Sequence, residues 1–217
     1  MSRFIESILY QNESLPLLSL HVDRMIQTRR EVLNTSRRLD LPDLVPPDDM
    51  RKNKKVKLRI LYDYKVTSIE WIPYKKAEPK AVLAIEAADI KYPFKYSNRK
   101  AFLELRKRYP DFDDLIILQN GKLTDATYSN IVLKSKNQWM TPEYPLLKGV
   151  RRKKLLEDGV VKTAALGREH LVHAEQINLV NAMMPLNDCI TLSPDQVFLS
   201  VANKGFLSLS EYKAKFP

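Results

Sequence analysis

A chain of 217 residues, 44% hydrophobic and 29% charged, has the length for one large domain or two small ones and the composition of a globular protein with a substantial core. No apolar run approaches the roughly 20 residues that span a bilayer, and Glu6 falls where a secretory signal would carry its apolar segment, so neither a membrane nor an export route is expected. The formal charge of +10 is spread along the chain; its densest cluster, Arg51-Lys52-Asn53-Lys54-Lys55-Val56-Lys57, lacks interleaved aromatics and matches no nucleic-acid-binding motif, which leaves a solvated basic surface or a field that steers a small anionic substrate.

In chain order, residues 3–10 alternate as a strand does, and a polar turn follows at Gln11-Asn12-Glu13-Ser14. Over residues 18–37, Leu18, Val22, Met25, Ile26, Val32 and Leu33 recur at helical spacing. The prolines between Leu41 and Asp49 exclude a regular helix there. Val56, Leu58, Ile60, Tyr62 and Tyr64 alternate strictly, and residues 67–74 and 81–87 read as further strands, which together predict a small antiparallel sheet beside one long helix. Residues 89–94 read as the crossing into a second lobe, giving domains 1–88 and 89–217. Beyond it come a helix over 99–108, a strand over 115–119 and an Asn120-Gly121 hairpin turn. Strands at 123–124, 131–134 and 138–140 follow, then a helix from Gly149 to the left-handed cap expected at Gly159. A strand over 160–164, a helix over 168–174, a strand over 177–181 and a helix over 209–215 complete the reading. The single cysteine, Cys189, cannot form an internal disulfide and fits a reducing cytoplasm; His21, His170 and His173 make no metal-ligand pattern.

Three stretches carry chemistry when taken together. Lys95, in Lys95-Tyr96-Ser97-Asn98-Arg99, offers an amine, and a lysine amine forms a Schiff base only when burial or a neighbouring cation keeps it neutral. Arg99 supplies such a cation if a helix begins near Lys95; otherwise Lys95 is one of 36 basic residues in water. Asp125, in Leu123-Thr124-Asp125, offers a carboxylate that could keep a pyridine nitrogen protonated, or simply a turn aspartate. Gly149-Val150-Arg151-Arg152 opens a helix, where free N–H groups bind phosphate; two arginines in a first turn oppose the helix dipole unless an anion sits nearby. Arg24, on the long helix, could reach across a lobe boundary to a phosphate, or be an ordinary surface arginine. An amine, a carboxylate and an anion site are the parts that hold an aldehyde-bearing, phosphorylated pyridine.

These residues resemble the class IV (fold type IV) pyridoxal-phosphate enzymes, which include branched-chain and D-amino-acid aminotransferases and aminodeoxychorismate lyase. Phe4-Ile5-Glu6-Ser7 resembles the family's Phe-Glu-Thr strand, His21-Val22-Asp23-Arg24 its His-x-x-Arg helix, and Lys95 to Arg99 the Lys-x-x-Asn-Arg around its Schiff-base lysine. Thr124 to Asn130 resembles Thr-Glu-x-x-x-x-Asn, Trp139-Met140-Thr141-Pro142 the Tyr-Thr-Pro strand, and Leu147 to Arg152 Leu-x-Gly-Ile-x-Arg. Asn181-Ala182-Met183-Met184-Pro185-Leu186 is similar to the Asn-Ala-Leu-Met-Pro-Val of the lyases. Aspartate at 125 stands where the family has glutamate, Arg151 where many aminotransferases have threonine, and the chain starts close to the family's second strand.

The resemblance implies an α+β, two-lobed fold, with a small sheet-plus-helix N-terminal lobe and a larger α/β C-terminal lobe. It implies pyridoxal 5'-phosphate as cofactor, with Lys95 as the Schiff-base lysine and Asp125 against the pyridine nitrogen. Arg24, the backbone of Val150 and Arg151, and the Asn181-Ala182 turn would hold the phosphate, while Asn98, Arg99 and Asn130 line or brace the site. It further implies a cytoplasmic homodimer acting on a small, anionic, amino-acid-like substrate, without nucleic acid or membrane. The activity expected is that of a 4-amino-4-deoxychorismate lyase, with a transaminase, or a dimeric module that has lost catalysis, as alternatives.

Overall fold

Strand β1 (Phe4–Tyr10) places Phe4, Glu6 and Ile8 on one buried face, as a period of two requires. The computed structural model describes residues 3–201 and 205–216. After β1 come helix α1 (Leu18–Leu33), a single helical turn α2 (Asp48–Arg51), and strands β2 (Val56–Tyr62) and β3 (Val66–Pro73). The three strands form an antiparallel sheet in the order β1-β2-β3, with Phe4 opposite Tyr62. Helix α1 buries His21, Met25 and Thr28, one stripe at helical spacing, and stops where Asn34 turns left-handed at φ 50°. Met25 joins Phe4, Ile8, Leu58, Ile60 and Tyr62 in the core of this unit. The buried Arg29 ties the helix to the β2–β3 turn by donating to the carbonyls of Asp63 (3.2 Å) and Tyr64 (2.9 Å).

The chain returns to this unit over Tyr92–Arg99. There Ile5 N–H donates to the Lys95 carbonyl and Ser97 N–H to that of Arg3, both at 2.9 Å, and Phe4 bridges Tyr96 in antiparallel fashion. The segment therefore runs along the free edge of β1. The division of the chain consequently differs from a single cut at residue 88: the first unit takes residues up to 76 together with Tyr92–Arg99, and the second takes Ala77–Lys91 and the chain from Lys100 onward.

The second unit holds β4 (Val82–Glu86), α3 (Lys100–Lys107), β5 (Asp114–Gln119), β6 (Lys122–Ala126), β7 (Asn130–Ser135), β8 (Gln138–Pro142), α4 (Val150–Glu157) and β9 (Lys162–Ala164). It continues with α5 (Arg168–His173), β10 (Gln176–Val180), β11 (Ile190–Leu192), β12 (Val197–Val201), β13 (Gly205–Ser208) and α6 (Leu209–Lys215). Its sheet runs β11-β10-β7-β6-β5-β4-β12-β13, with β8 pairing β7 and β9. Strand β4 corrects the sequence reading, which placed it in the small sheet: it pairs in parallel with β5 and β12. Its first four residues are all buried, the pattern of a strand covered on both faces. Asn120 and Gly121 take φ values of 53° and 75° between β5 and β6, as the hairpin turn demands. No helix among the described residues is long and apolar enough to cross a membrane.

Candidate functional site

In the first unit, β1 and α1 bring three ionisable groups, Glu6, His21 and Arg24, to act on one another and on Lys95. Glu6, wholly buried on β1, accepts two hydrogen bonds from Arg24, from Nε (2.9 Å) and Nη2 (2.5 Å). His21, one helical turn before Arg24, places Nδ1 2.6 Å from Glu6 Oε2. Burial alone would raise the Glu6 carboxyl, but the Arg24 guanidinium and His21 outweigh it and hold the group at about 2. Burial pushes His21 down, so its imidazole is neutral; an ionised Glu6 can only accept, which puts the His21 proton on Nδ1.

Lys95 is fixed by its backbone rather than by a side-chain partner. Its carbonyl is bound to β1, Tyr96 packs on Phe4 with ring centroids 5.3 Å apart, and the Tyr92 hydroxyl donates to the Tyr96 carbonyl at 2.6 Å. Among the described residues, the Lys95 amine has no hydrogen-bond acceptor. Burial first, then the Arg24 guanidinium, lowers its pKa to about 8; Glu6 opposes this, and Arg99 and Lys57 add to it. The amine thus deprotonates around pH 8, far closer to neutrality than an ordinary lysine, and the neutral form is the nucleophile. Residues 95–99 are not helical, since α3 begins at Lys100, so Arg99 is not one helical turn from Lys95 as expected. Its guanidinium lies over the Tyr92 ring at 5.1 Å, and its charge still acts on Lys95. Asn98 is exposed.

In the second unit, Asp125 and Asn130 face each other where β6 meets β7, and both side chains are buried. Together they grip one peptide segment. Leu147 N–H donates to Asp125 Oδ2 at 2.8 Å, while Asn130 Nδ2 donates to the Leu147 carbonyl at 2.9 Å and to Asp125 Oδ1 at 2.6 Å. This grip sets the start of α4. A Cβ added at Gly149, the residue before the helix, would run into the Asn130 carboxamide oxygen, so this position requires glycine. The first N–H groups of α4, from Val150 onward, have no carbonyl to bond within the helix. Burial pushes Asp125 up to about 7, against the lowering by Leu147 N–H, Asn130 and the charge of Arg152.

The two arginines of that first turn differ. Arg152 is buried and spent on structure, donating from Nη2 to the Pro142 carbonyl (2.8 Å) and from Nε to Thr141 Oγ1 (3.3 Å). Arg151 donates from Nη2 to the Ala182 carbonyl at 3.3 Å, and its buried Nε has no partner. Burial lowers its pKa and no acid counters this. Asn181 closes the 181–184 turn by accepting from Met183 N–H at 2.9 Å, and its Nδ2 lies 3.3 Å from the Tyr128 carbonyl and from Ser129 Oγ. Asp125, Asn130, Val150, Arg151, Asn181 and Ala182 are thus linked within one unit, and Arg24, Lys95, Asn98 and Arg99 belong to the other.

The residue that sequence reasoning left without a role is Glu6. Its signal was available, since the alternation Phe4, Glu6, Ile8 puts a carboxylate on an apolar face. What the sequence could not show is that His21 and Arg24 both turn toward it.

A family model described as amino-transferase class IV matches residues 3–188. An uncharacterized protein of Haemophilus influenzae is 28% identical over 185 residues, covering 84% of this chain and 98% of that protein. Among solved structures, a provisionally named 4-amino-4-deoxychorismate lyase from Haemophilus somnus is similar with a TM-score of 0.74 and 26% identity, covering 86% of this chain and 98% of its own. The pyridoxal-phosphate-bound form of a hypothetical aminotransferase from Mycobacterium tuberculosis shares the fold, with a TM-score of 0.67 at 16% identity and coverage of 90% and 81%. With the mixed α/β architecture and a family match over most of its length, the chain belongs to the class IV aminotransferase family.

Proposed function

We propose that this protein is a pyridoxal 5'-phosphate-dependent lyase that converts 4-amino-4-deoxychorismate into pyruvate and 4-aminobenzoate. The observation that carries the reading is Lys95: a half-buried amine without an acceptor among the described residues, acted on by the Arg24 charge and lowered to about 8. The similarity to the Haemophilus somnus protein and the Asn181 to Leu186 segment favour lyase over transaminase chemistry.

The residues present fit the cofactor. Pyridoxal phosphate, when bound, supplies an aldehyde for amines and a ring that draws electrons from the bond being broken. Lys95 Nζ is the amine that would attach it, and near its pKa the same nitrogen takes up and returns a proton. Arg24 spends Nε and one N–H of Nη2 on Glu6, which leaves Nη1 to donate to an anion. The open start of α4, with the desolvated Arg151 beside it, favours a phosphate. Asp125 keeps a second lone pair on each oxygen and so can serve a ring N–H while holding Leu147. A small, anionic, amino-bearing substrate and a homodimer complete the proposal, both favoured by the family resemblance.

The test is direct. Purified protein with pyridoxal phosphate is mixed with 4-amino-4-deoxychorismate, and 4-aminobenzoate is followed by its fluorescence. Stoichiometric 4-aminobenzoate and pyruvate are expected. Absence of both, or transfer of an amino group to a 2-oxo acid instead, removes the lyase assignment. Sedimentation is expected to give twice the chain mass, and a monomer at working concentration removes the homodimer.

A further inference from the structure

Glu6 is an unusual occupant of its position. It lies on β1 between Phe4 and Ile8, both wholly buried, and it is wholly buried itself. Desolvating a carboxylate costs several kcal/mol unless cations and donors take up its lone pairs. Here they do so with a particular geometry. Arg24 gives Glu6 one edge of its guanidinium, Nε and Nη2, in the planar fork that fixes both side chains. His21 Nδ1 holds Oε2 from the same helix. The guanidinium edge that bears Nη1 is left without a described acceptor. An arginine held in this way has little freedom left to lose, so an anion meeting it finds donors already oriented.

We propose that Glu6 is a positioning residue: through its fork with Arg24 it orients the remaining guanidinium donors for an anion, and it balances the positive charge around the Lys95 amine. This rests on the reading of Arg24 as a phosphate donor given above. The charged and titratable groups acting on Lys95 are Arg24, Glu6, Arg99 and Lys57, with His21 close enough to feel the lysine in turn. Glu6 is the one anion among them. Its loss therefore acts in two separable ways: the donors of Arg24 lose their orientation, and the lysine loses its counter-charge.

Both are measurable in the full chain. Before cofactor is added, the pH dependence of Lys95 acetylation by acetic anhydride, read by peptide mass spectrometry, gives the midpoint of the amine. Binding of pyridoxal 5'-phosphate compared with pyridoxal gives the contribution of the phosphate. Glu6→Gln is expected to move the Lys95 midpoint downward and to reduce the preference for the phosphorylated compound about tenfold. A midpoint that does not fall, or a preference equal to wild type, overturns the proposal. Should Glu6→Gln fail to fold, Glu6→Asp keeps the charge but shortens the arm. It is expected to leave the midpoint near wild type while losing the phosphate preference, and an intact preference overturns the proposal there too. If wild-type protein itself shows no preference for pyridoxal 5'-phosphate, the cofactor reading fails, and the acetylation midpoint alone then decides whether Glu6 balances Lys95.

Discussion

Each unit contains a buried carboxylate with hydrogen-bond donors at both oxygens, yet Glu6 is driven down to about 2 and Asp125 up to about 7. The number of donors does not explain this. Glu6 receives its bonds from a guanidinium fork and an imidazole, whereas Asp125 receives its bonds from a backbone amide and a carboxamide. A cation is near Asp125, but the donors of Arg152 are turned to Thr141 and Pro142. Neutral donors soften the desolvation of a carboxylate; a cation in contact reverses it. In the first unit, Glu6 and Arg24 thus form a pair in which each charge meets its opposite directly. In the second, the contacts of Asp125 are neutral donors, with Arg152 acting only from a distance, and no acid counters the desolvation of Arg151 at the start of α4.

The largest expected effect breaks the first half of this comparison. Arg24→Ala leaves Glu6 buried without its cation and should cost about 3–5 kcal/mol, read from urea unfolding. A loss below about 1 kcal/mol would show that water or another group already serves Glu6.

The pH dependence follows with opposite signs in the two units. Glu6 has a folded pKa of about 2 against an ordinary 4.5, so its stabilisation is complete above the ordinary value and fades as pH falls toward 2. The span corresponds to about 3 kcal/mol. Asp125, raised from 3.8 to about 7, acts the other way: stability declines as pH rises across that interval and is level above it. Unfolding measured across this range should show Glu6→Gln flattening the acid limb and Asp125→Asn flattening the decline toward neutrality. An Asp125→Asn profile parallel to wild type would contradict the raised pKa.

Asn130→Ala sharpens the second half of the comparison. It removes the donor shared by Asp125 and the Leu147 carbonyl and should cost about 1–3 kcal/mol. Faster amide exchange at the start of α4 should accompany it, and exchange equal to wild type would mean that the helix start is held by something else. The smallest effect is a control outside both clusters. Gly121→Ala, at φ 75°, should cost about 1 kcal/mol through backbone strain alone and leave both pH profiles unchanged.

Legibility in the sequence followed the range of the interactions. The Asn120-Gly121 turn and α6 were readable because local chemistry decides them; Ser208 and Glu211 cap α6 reciprocally within four residues. Strand β4 was readable as a strand but not as a member of its sheet, because its partners β5 and β12 lie on either side of a long separation in the chain. Strands β12 and β13 passed unread, since alternation over so few residues between loops is a weak signal. The Lys95, Asp125 and Gly149 stretches stood out through residue type, spacing and family resemblance. The coupling of Glu6 to His21 and Arg24, and the grip of Asp125 and Asn130 on Leu147, depend on which way side chains turn after folding. No spacing rule carries that information.

The claim that Lys95 is the amine that captures the cofactor is tested most directly by an absorption spectrum. Wild-type protein mixed with pyridoxal phosphate should develop the near-ultraviolet to visible band of a lysine-bound cofactor, and Lys95→Ala, folded by circular dichroism, should lack it. A wild type without the band, or a variant that retains it at full strength, would contradict the account.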